Sequence, residues 1–461
     1  MKHRLPIPMV MGLVLLLAGA GPGLAQDAGG ACAAITADCL LQEAEQAAQM
    51  LSRPDERDEA AYAIAVARSR MGRFDEALAI AATISGGRVE AELLSAIAID
   101  MAQFGEFDRA HAVALGVPDA RPDWVRVRAI ETVASATAAA GDVEAAFEKV
   151  VAIDNPFRRS RAQAEIAAAI ARTGDFGGAI RAASRIATDY WFSPDQHRLK
   201  VASGLVSRAG EFDQYWFYEA LARIAQSQAE TGDFAGALQT AIAIPDIAGR
   251  SRAMARIGAS QARADDIDGA LATAARIEMA YGDLEVLIAI ADARARQGEF
   301  TEALALAQGI IGAYADAGGL VAVAQRQAER GLFEDALKTV ALISNPEFRT
   351  RALSAIAIVL TAAGKVDEAI AATAMIFDAE DRGIAVREVA VKLAADGDVV
   401  RAIAVADAHA RRRDRGDLDV SIALERAKAG DLAGARVAAR AIEDEMFRAM
   451  ALAAIAPFAE S

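Results

Sequence analysis

The chain has 461 residues, 54% of them from the apolar set AVILMFWYC but only 5% aromatic, and a formal charge of -15 from 49 basic and 64 acidic side chains. So large an acid excess argues against a nucleic-acid binder, and the apolar content argues against a disordered chain. Two cysteines exclude a disulfide framework and a four-cysteine metal site.

Residues 1–25 have the layout of a secretory signal peptide: a basic start at Lys2, His3 and Arg4, an apolar run from Met9 to Ala20, and the small-residue site Gly23-Leu24-Ala25. The apolar run is too short to cross a bilayer as a helix. The expected product is therefore cut after Ala25 and is periplasmic or secreted, with no integral membrane segment left. Disulfides persist there, and Cys32 and Cys39 are expected to pair. On one continuous helix they would stand roughly 10 Å apart, too far to bond, so the pairing requires a turn between them. Asp38 is the expected N-cap of a helix beginning at Cys39. Residues 26–54 are thus read as an N-terminal capping segment.

From about residue 55 onward a short motif recurs: glycine, any residue, an aromatic or branched apolar residue, two more, then alanine. Gly72-Arg73-Phe74-Asp75-Glu76-Ala77 is the first copy; others begin at Gly105, Gly141, Gly174, Gly232, Asp265, Gly298, Gly331, Gly364, Gly397 and Gly430, every 33 residues from Gly232. Apolar residues at helical spacing precede each copy (Leu353, Ile356, Ala357, Leu360) and follow it (Ala369, Ile370, Thr373, Ile376). Each repeat therefore predicts two antiparallel helices, A and B, with the glycine ending helix A in a left-handed cap. Alanines seven and three residues before the motif share one face of helix A, and their small size lets neighbouring helices approach closely.

The small residue in mid helix A (Ala357), the apolar residue before it (Ile356) and the Gly-x-aromatic-x-x-Ala turn (Gly331, Phe333, Ala336) resemble the tetratricopeptide repeat family. The family's small residue near the end of helix B is replaced here by Ile153, Ile186, Ile244, Ile277, Ile343 and Ile376, and the period is one residue shorter. The resemblance implies an all-α solenoid of stacked antiparallel helix pairs, a right-handed superhelix of eleven or twelve pairs.

The period fails between Ile186 and Gly232. Gly210-Glu211-Phe212 reads as a further turn, only 22 residues before the next. This predicts a structural break, with an N-terminal arm over 55–212 and a C-terminal arm over 213–461. Tyr190, Trp191, Phe192, Tyr215, Trp216, Phe217 and Tyr218 crowd the same stretch. They either fill the gap or form a platform for a partner chain or a sugar. Consecutive aromatics on a helix cannot all face one way, so some of Tyr215 to Tyr218 should be exposed.

Acidic residues after the glycine are expected to cap helix B and favour its dipole. A ladder fifteen residues before the motif, including Arg250, Arg349, Arg382 and Arg448, is expected to pair with loop acids or to cap helix B carbonyls. Two residues further on stand Arg128, Arg161, Arg252 and Arg351. In the tetratricopeptide resemblance that position faces the concave groove, so Arg128, Arg161 and His197 would lead towards the aromatic stretch and receive an acidic ligand. Histidines are scattered, and no His-Glu-x-x-His, Gly-x-Ser-x-Gly or P-loop pattern occurs. No catalytic, cofactor or metal residues are expected. The reading is a non-catalytic exported scaffold that binds a protein or peptide, with a cell-wall glycan or peptide binder using the aromatics as the alternative.

Overall fold

In the computed structural model the described residues are 35–84, 87–118, 124–188, 206–279, 282–314, 317–409 and 415–459. They form α-helices and one closing 3-10 turn, and among them there is no strand. The first helix, α1 (Ala37–Gln49), is followed by alternating long and short helices. The A and B pairs begin with α2 (Pro54–Arg70) and α3 (Phe74–Ala81), α4 (Gly87–Gln103) and α5 (Phe107–Leu115), α6 (Trp124–Ala139) and α7 (Val143–Val150), then α8 (Pro156–Arg172) and α9 (Phe176–Thr188). They continue with α10 (Val206–Glu230) and α11 (Phe234–Ile242), α12 (Ile247–Arg263) and α13 (Ile267–Ala274), α14 (Leu284–Gln297) and α15 (Phe300–Tyr314), then α16 (Gly318–Glu329) and α17 (Phe333–Ala341). The last pairs are α18 (Pro346–Ala362) and α19 (Val366–Ala374), α20 (Ala379–Ala395) and α21 (Val399–His409), and α22 (Arg415–Lys428) and α23 (Leu432–Arg440). A final A helix, α24 (Glu445–Ile455), runs into the 3-10 turn at Ala456–Ala459.

The turn glycines behave as their spacing requires. All ten have φ between 74° and 102°, and the eleventh position, Asp265, adopts φ 64° in spite of its Cβ. At that turn Asp265 N–H donates to the Ala262 carbonyl (3.1 Å) and Asp266 N–H to the Gln261 carbonyl (2.9 Å), so two carbonyls at the helix end are satisfied. Helix B is then capped by an aspartate directly after the turn residue: Asp142, Asp233, Asp266 and Asp431 accept from backbone N–H groups three residues on. First-turn acids such as Asp75 and Glu334 complement the helix dipole instead. The arginine ladder takes the carbonyls: Arg250, Arg349, Arg382 and Arg448 donate to Ile244, Ile343, Ile376 and Ile442, where the preceding B helix ends.

Two expectations are corrected. Gly210-Glu211-Phe212 is no turn; it lies inside α10, which at 25 residues is the longest helix among those described. The division expected between 212 and 213 therefore falls within one helix, and α10 packs on α8 and α12 as any A helix packs on its neighbours. Second, α1 starts at Ala37 with Thr36 as its N-cap, so Asp38 is no cap and is free to ion-pair with Arg73. The expected Cys32–Cys39 bond reaches outside the described residues, because Cys32 is not among them.

Nor does the solenoid stay an open superhelix. Among the described residues no B helix follows the A helix α24, and α1 occupies that place: it packs along α24 and against α2, while α24 packs on α2 as consecutive A helices do. Leu40, Leu41 and Ala44 of α1 share one core with Ile64 of α2 and with Ala423, Ala439 and Leu452 from the far end of the chain. The twelfth pair is thus made from both ends, and the repeats close into a ring. Consecutive A helices touch all the way round; B helices stand apart, bridged by long side chains such as Lys149 to Asp108 (2.7 Å) and Arg185 to Glu144 (2.8 Å). Closer spacing belongs to the smaller radius, so A helices form the inner wall. At about 9 Å between axes, twelve of them lie on a circle about 35 Å across, which leaves an opening of about 20–25 Å after helix bodies of about 10–12 Å are removed.

A buried charge cluster holds the seam. Glu43 of α1, with its side chain 14% exposed, is gripped by Arg436 and Arg440 of α23, and Arg440 Nε lies 2.9 Å from Oε2. Arg436 Nη2 also lies 3.4 Å from Cys39 Sγ. On the other side Arg68 and Arg73 reach Glu45 and Asp38. Burial alone would raise the Glu43 pKa, but hydrogen bonds and charge from Arg440 and Arg436 prevail and hold it below its ordinary 4.5.

Two tests follow from these features. Asp265→Gly should stabilise the fold by roughly 0.5–1 kcal/mol in urea unfolding, the relief of a left-handed Cβ less the added freedom of glycine. A carboxylate whose folded pKa is depressed adds stability that is complete above its unfolded value and fades as pH falls through its folded one. The seam should accordingly weaken below about pH 4.5–5, seen as faster amide exchange in α1 at pH 4 than at pH 7 after correction for intrinsic rates. Glu43→Gln should raise α1 exchange about tenfold or more at neutral pH, given about 1.5–3 kcal/mol for hydrogen bonds to a charged group.

Candidate functional site

On each A helix one face packs on helix B and the flanks on adjacent A helices, so the remaining face lines the opening. Its positions lie thirteen, nine or ten, and six residues before the turn. Across α6, α8, α10 and α12 the outermost of these rows reads Arg128, Arg161, Glu219, Arg252, and the next one inward Glu131, Glu165, Arg223, Arg256.

These side chains brace neighbouring helices. Glu219 is buried, 4% exposed, and accepts from Arg223 Nε (3.1 Å), Arg252 Nη1 (3.0 Å) and Arg256 Nη2 (2.9 Å). Arg223 also reaches Glu165 at 2.5 Å, and Arg161 lies 3.3 Å from Glu131. Burial would raise the Glu219 pKa, yet the hydrogen bonds and charges of Arg256 and Arg223 hold it low. Burial, with the Glu165 carboxylate nearby, pushes the Glu131 carboxyl up in spite of Arg161 and Arg223. Arg128 is exposed and forms no ion pair among the described residues. Five guanidinium groups thus face three carboxylates, a local positive excess in an acidic protein.

Above this lattice sits an aromatic edge. Trp124, Phe157 and Tyr215 occupy the same position on α6, α8 and α10, four residues before Arg128, Arg161 and Glu219, and are 46%, 43% and 42% exposed. Trp216 is buried behind them, edge-on to Phe157 (5.3 Å between centroids) and to Tyr215 (5.1 Å). The Arg252 guanidinium lies 5.3 Å from the Tyr215 ring centroid. Tyr218 is half-buried and packs against Phe217. Of the expected site residues, then, Arg128, Arg161 and Tyr215 come together on one surface, Trp216 supports it from beneath, and Tyr218 turns away. Tyr190, Trp191, Phe192 and His197 lie outside the described residues.

Sequence reasoning overlooked Trp124 and Phe157. Their common distance from the turn, shared with Tyr215, was the available signal. Among the described residues no three His, Cys, Asp or Glu side chains converge as metal ligands, and no helix is long and apolar enough to cross a membrane.

No protein-family model matches the chain, and no curated protein does. Among solved structures it is similar to Ton1535 from Thermococcus onnurineus NA1, at 18% identity over 70% of this chain and 96% of that one, with a TM-score of 0.26. A circular tandem repeat protein with novel repeat topology and enhanced subunit contact surfaces matches at 12% identity over 89% of this chain and 83% of that one, with a TM-score of 0.16. Both TM-scores are too low to carry the path of either chain over to this one. The helix pairs themselves define the class: this is a helical repeat protein, an α-solenoid.

Glu219→Gln should cost about 3–5 kcal/mol, because three guanidinium groups lose their shared anion in a buried setting. A fall in the urea midpoint with an unchanged slope would show it.

Proposed function

We propose that the protein is an exported, non-catalytic binding ring of tetratricopeptide-like repeats, which holds a protein or peptide partner. The observation that carries this reading is the strip Trp124, Phe157, Tyr215 with Arg128, Arg161 and Arg252 beside it. Large exposed rings next to arginines, presented by rigid helices on successive repeats, have the composition of interface hot spots. The local positive excess favours a partner segment bearing carboxylates. The leader at residues 1–25 supports export, and with it the pairing of Cys32 with Cys39 near the seam. N-terminal sequencing of the exported protein should then begin at Gln26. The glycan alternative is left with less: Trp216 is buried, so Tyr215 is the one ring of the predicted platform standing open among the described residues.

Capture from native periplasm by the immobilised ring tests the reading. A partner retained by the wild type should be lost, by at least tenfold, in Arg128→Glu with Trp124→Ala, two exposed substitutions that leave the core intact. Retention on purified peptidoglycan with no protein captured would transfer the assignment to the glycan reading.

A further inference from the structure

The two rims of the ring differ. At one, helix A ends in its left-handed turn; at the other, helix B ends and the next helix A begins. Among the large apolar side chains exposed in the described residues, eight end a B helix or lie in the loop behind it, whereas the turn rim carries three, Phe104, Leu332 and Val400. The most prominent of the eight are Phe377 (98% exposed), Met50 (73%), Val151 (65%) and Met375 (54%), with Ile242 and Leu342 about half exposed. Folding does not demand them. Val151, Leu342 and Met375 are C-caps, and Ala82, Ala243, Ala275 and Ala441 fill that place on α3, α11, α13 and α23. Phe377 precedes the N-cap Asp378, and Ser344 holds the same position before the N-cap Asn345.

Spread and charge identify what covers them. With Leu115 and Met279 the set comes from α1, α5, α7, α11, α13, α17 and α19, so no gap round the ring exceeds two B helices. B helices lie about 9 Å outside a circle about 35 Å across, so the set spans about 50 Å. A compact partner would reach one sector of it, and a second ring would need a recess for every projecting side chain. A fluid plane meets all of them at once and deforms round each.

The plane is not an anionic one, because the chain itself carries a charge of -15. In the nine residues centred on each turn position carboxylates outnumber cations 22 to 13; in equal stretches centred nineteen residues before each turn position and on Asp444, the figures are 21 to 17. The apolar rim is thus nearer neutral. A 17-residue A helix such as α18 holds the rims about 25 Å apart, about three Debye lengths at 0.15 M salt, so a surface on the apolar rim is screened from the acidic turns. No described helix is long and apolar enough to cross a bilayer, so the contact is peripheral.

We propose that the B-helix ends form a docking rim for a zwitterionic phospholipid surface, into which Phe377, Met375, Leu342 and Val151 insert while the ring axis stands perpendicular to the membrane. This goes beyond the reading of the ring as a partner-binding scaffold and uses none of the aromatic strip.

The test is sedimentation of the full exported chain with vesicles. Phosphatidylcholine vesicles should retain it, and phosphatidylglycerol vesicles should retain it at least threefold less at low salt. No retention on phosphatidylcholine, or stronger retention on phosphatidylglycerol, overturns the proposal. Phe377→Ser, Met375→Ala, Leu342→Ala and Val151→Ala combined should lose at least tenfold. Leu332→Ala, Val400→Ala and Val437→Ala, which remove exposed apolar side chains elsewhere, should lose less than twofold. Equal losses in the two variants, or none in the first, overturn it. If the quadruple variant does not fold, Phe377→Ser alone decides: a loss of at least threefold supports the proposal and no change overturns it. Rings that pair through the same side chains in vesicle-free solution would give the rim to a second copy and overturn it too. Capture of a protein partner without retention on vesicles defeats this inference alone. Retention on vesicles without capture defeats only the partner reading of the aromatic strip.

Discussion

Helix α24 presents an apolar face that needs a B helix, and α1 brings one from some four hundred residues away in sequence. Closing a loop of that length costs about 5 kcal/mol in chain entropy. The seam offsets this by burying Leu40, Leu41, Ala44 and Leu452 and by seating Glu43 between two arginines. An open solenoid would need end caps with polar outer faces and would fray from either side. Here every A helix has two A neighbours, and the curvature that lets twelve pairs meet follows from alanines on the inside and short, separated helices on the outside.

Much of this architecture was legible. The 33-residue step, the turn glycines and even the substitute at Asp265 are visible because each repeat must end helix A in a conformation that resists a Cβ. Closure was not, because no periodicity relates Leu40 to Leu452. The available clue was an apolar helix at Ala37–Gln49 that stands outside the alternation of A and B helices. Gly210-Glu211-Phe212 misled for a related reason, since three residues can imitate a turn while the surrounding side chains favour continuing the helix.

The candidate surface was half legible. Arg128 and Arg161 stand out by position, and Tyr215 by its neighbours, but the partners of an inner-wall charge come from the next repeat. Glu219 meets Arg252 and Arg256 across 33 and 37 residues, and Glu165 meets Arg223 across 58, where the irregular step intervenes. Such pairs become visible only when the helices are laid side by side. They show that several inner-wall arginines are braces, whereas Arg128 is exposed and forms no ion pair among the described residues.

The noncovalent seam also decides how the ring responds to force. Because α1 lies alongside α24, tension applied between these two helices falls first on the contacts of the seam, those of α24 with α1 and α2 and those of Glu43 with Arg436 and Arg440, rather than on the rest of the circle. Once those contacts shear, the load passes to the repeats in series, each held to the next by its own small interface. The seam is therefore the mechanical fuse of the molecule, and the ring keeps its shape under tension only up to the combined strength of those contacts.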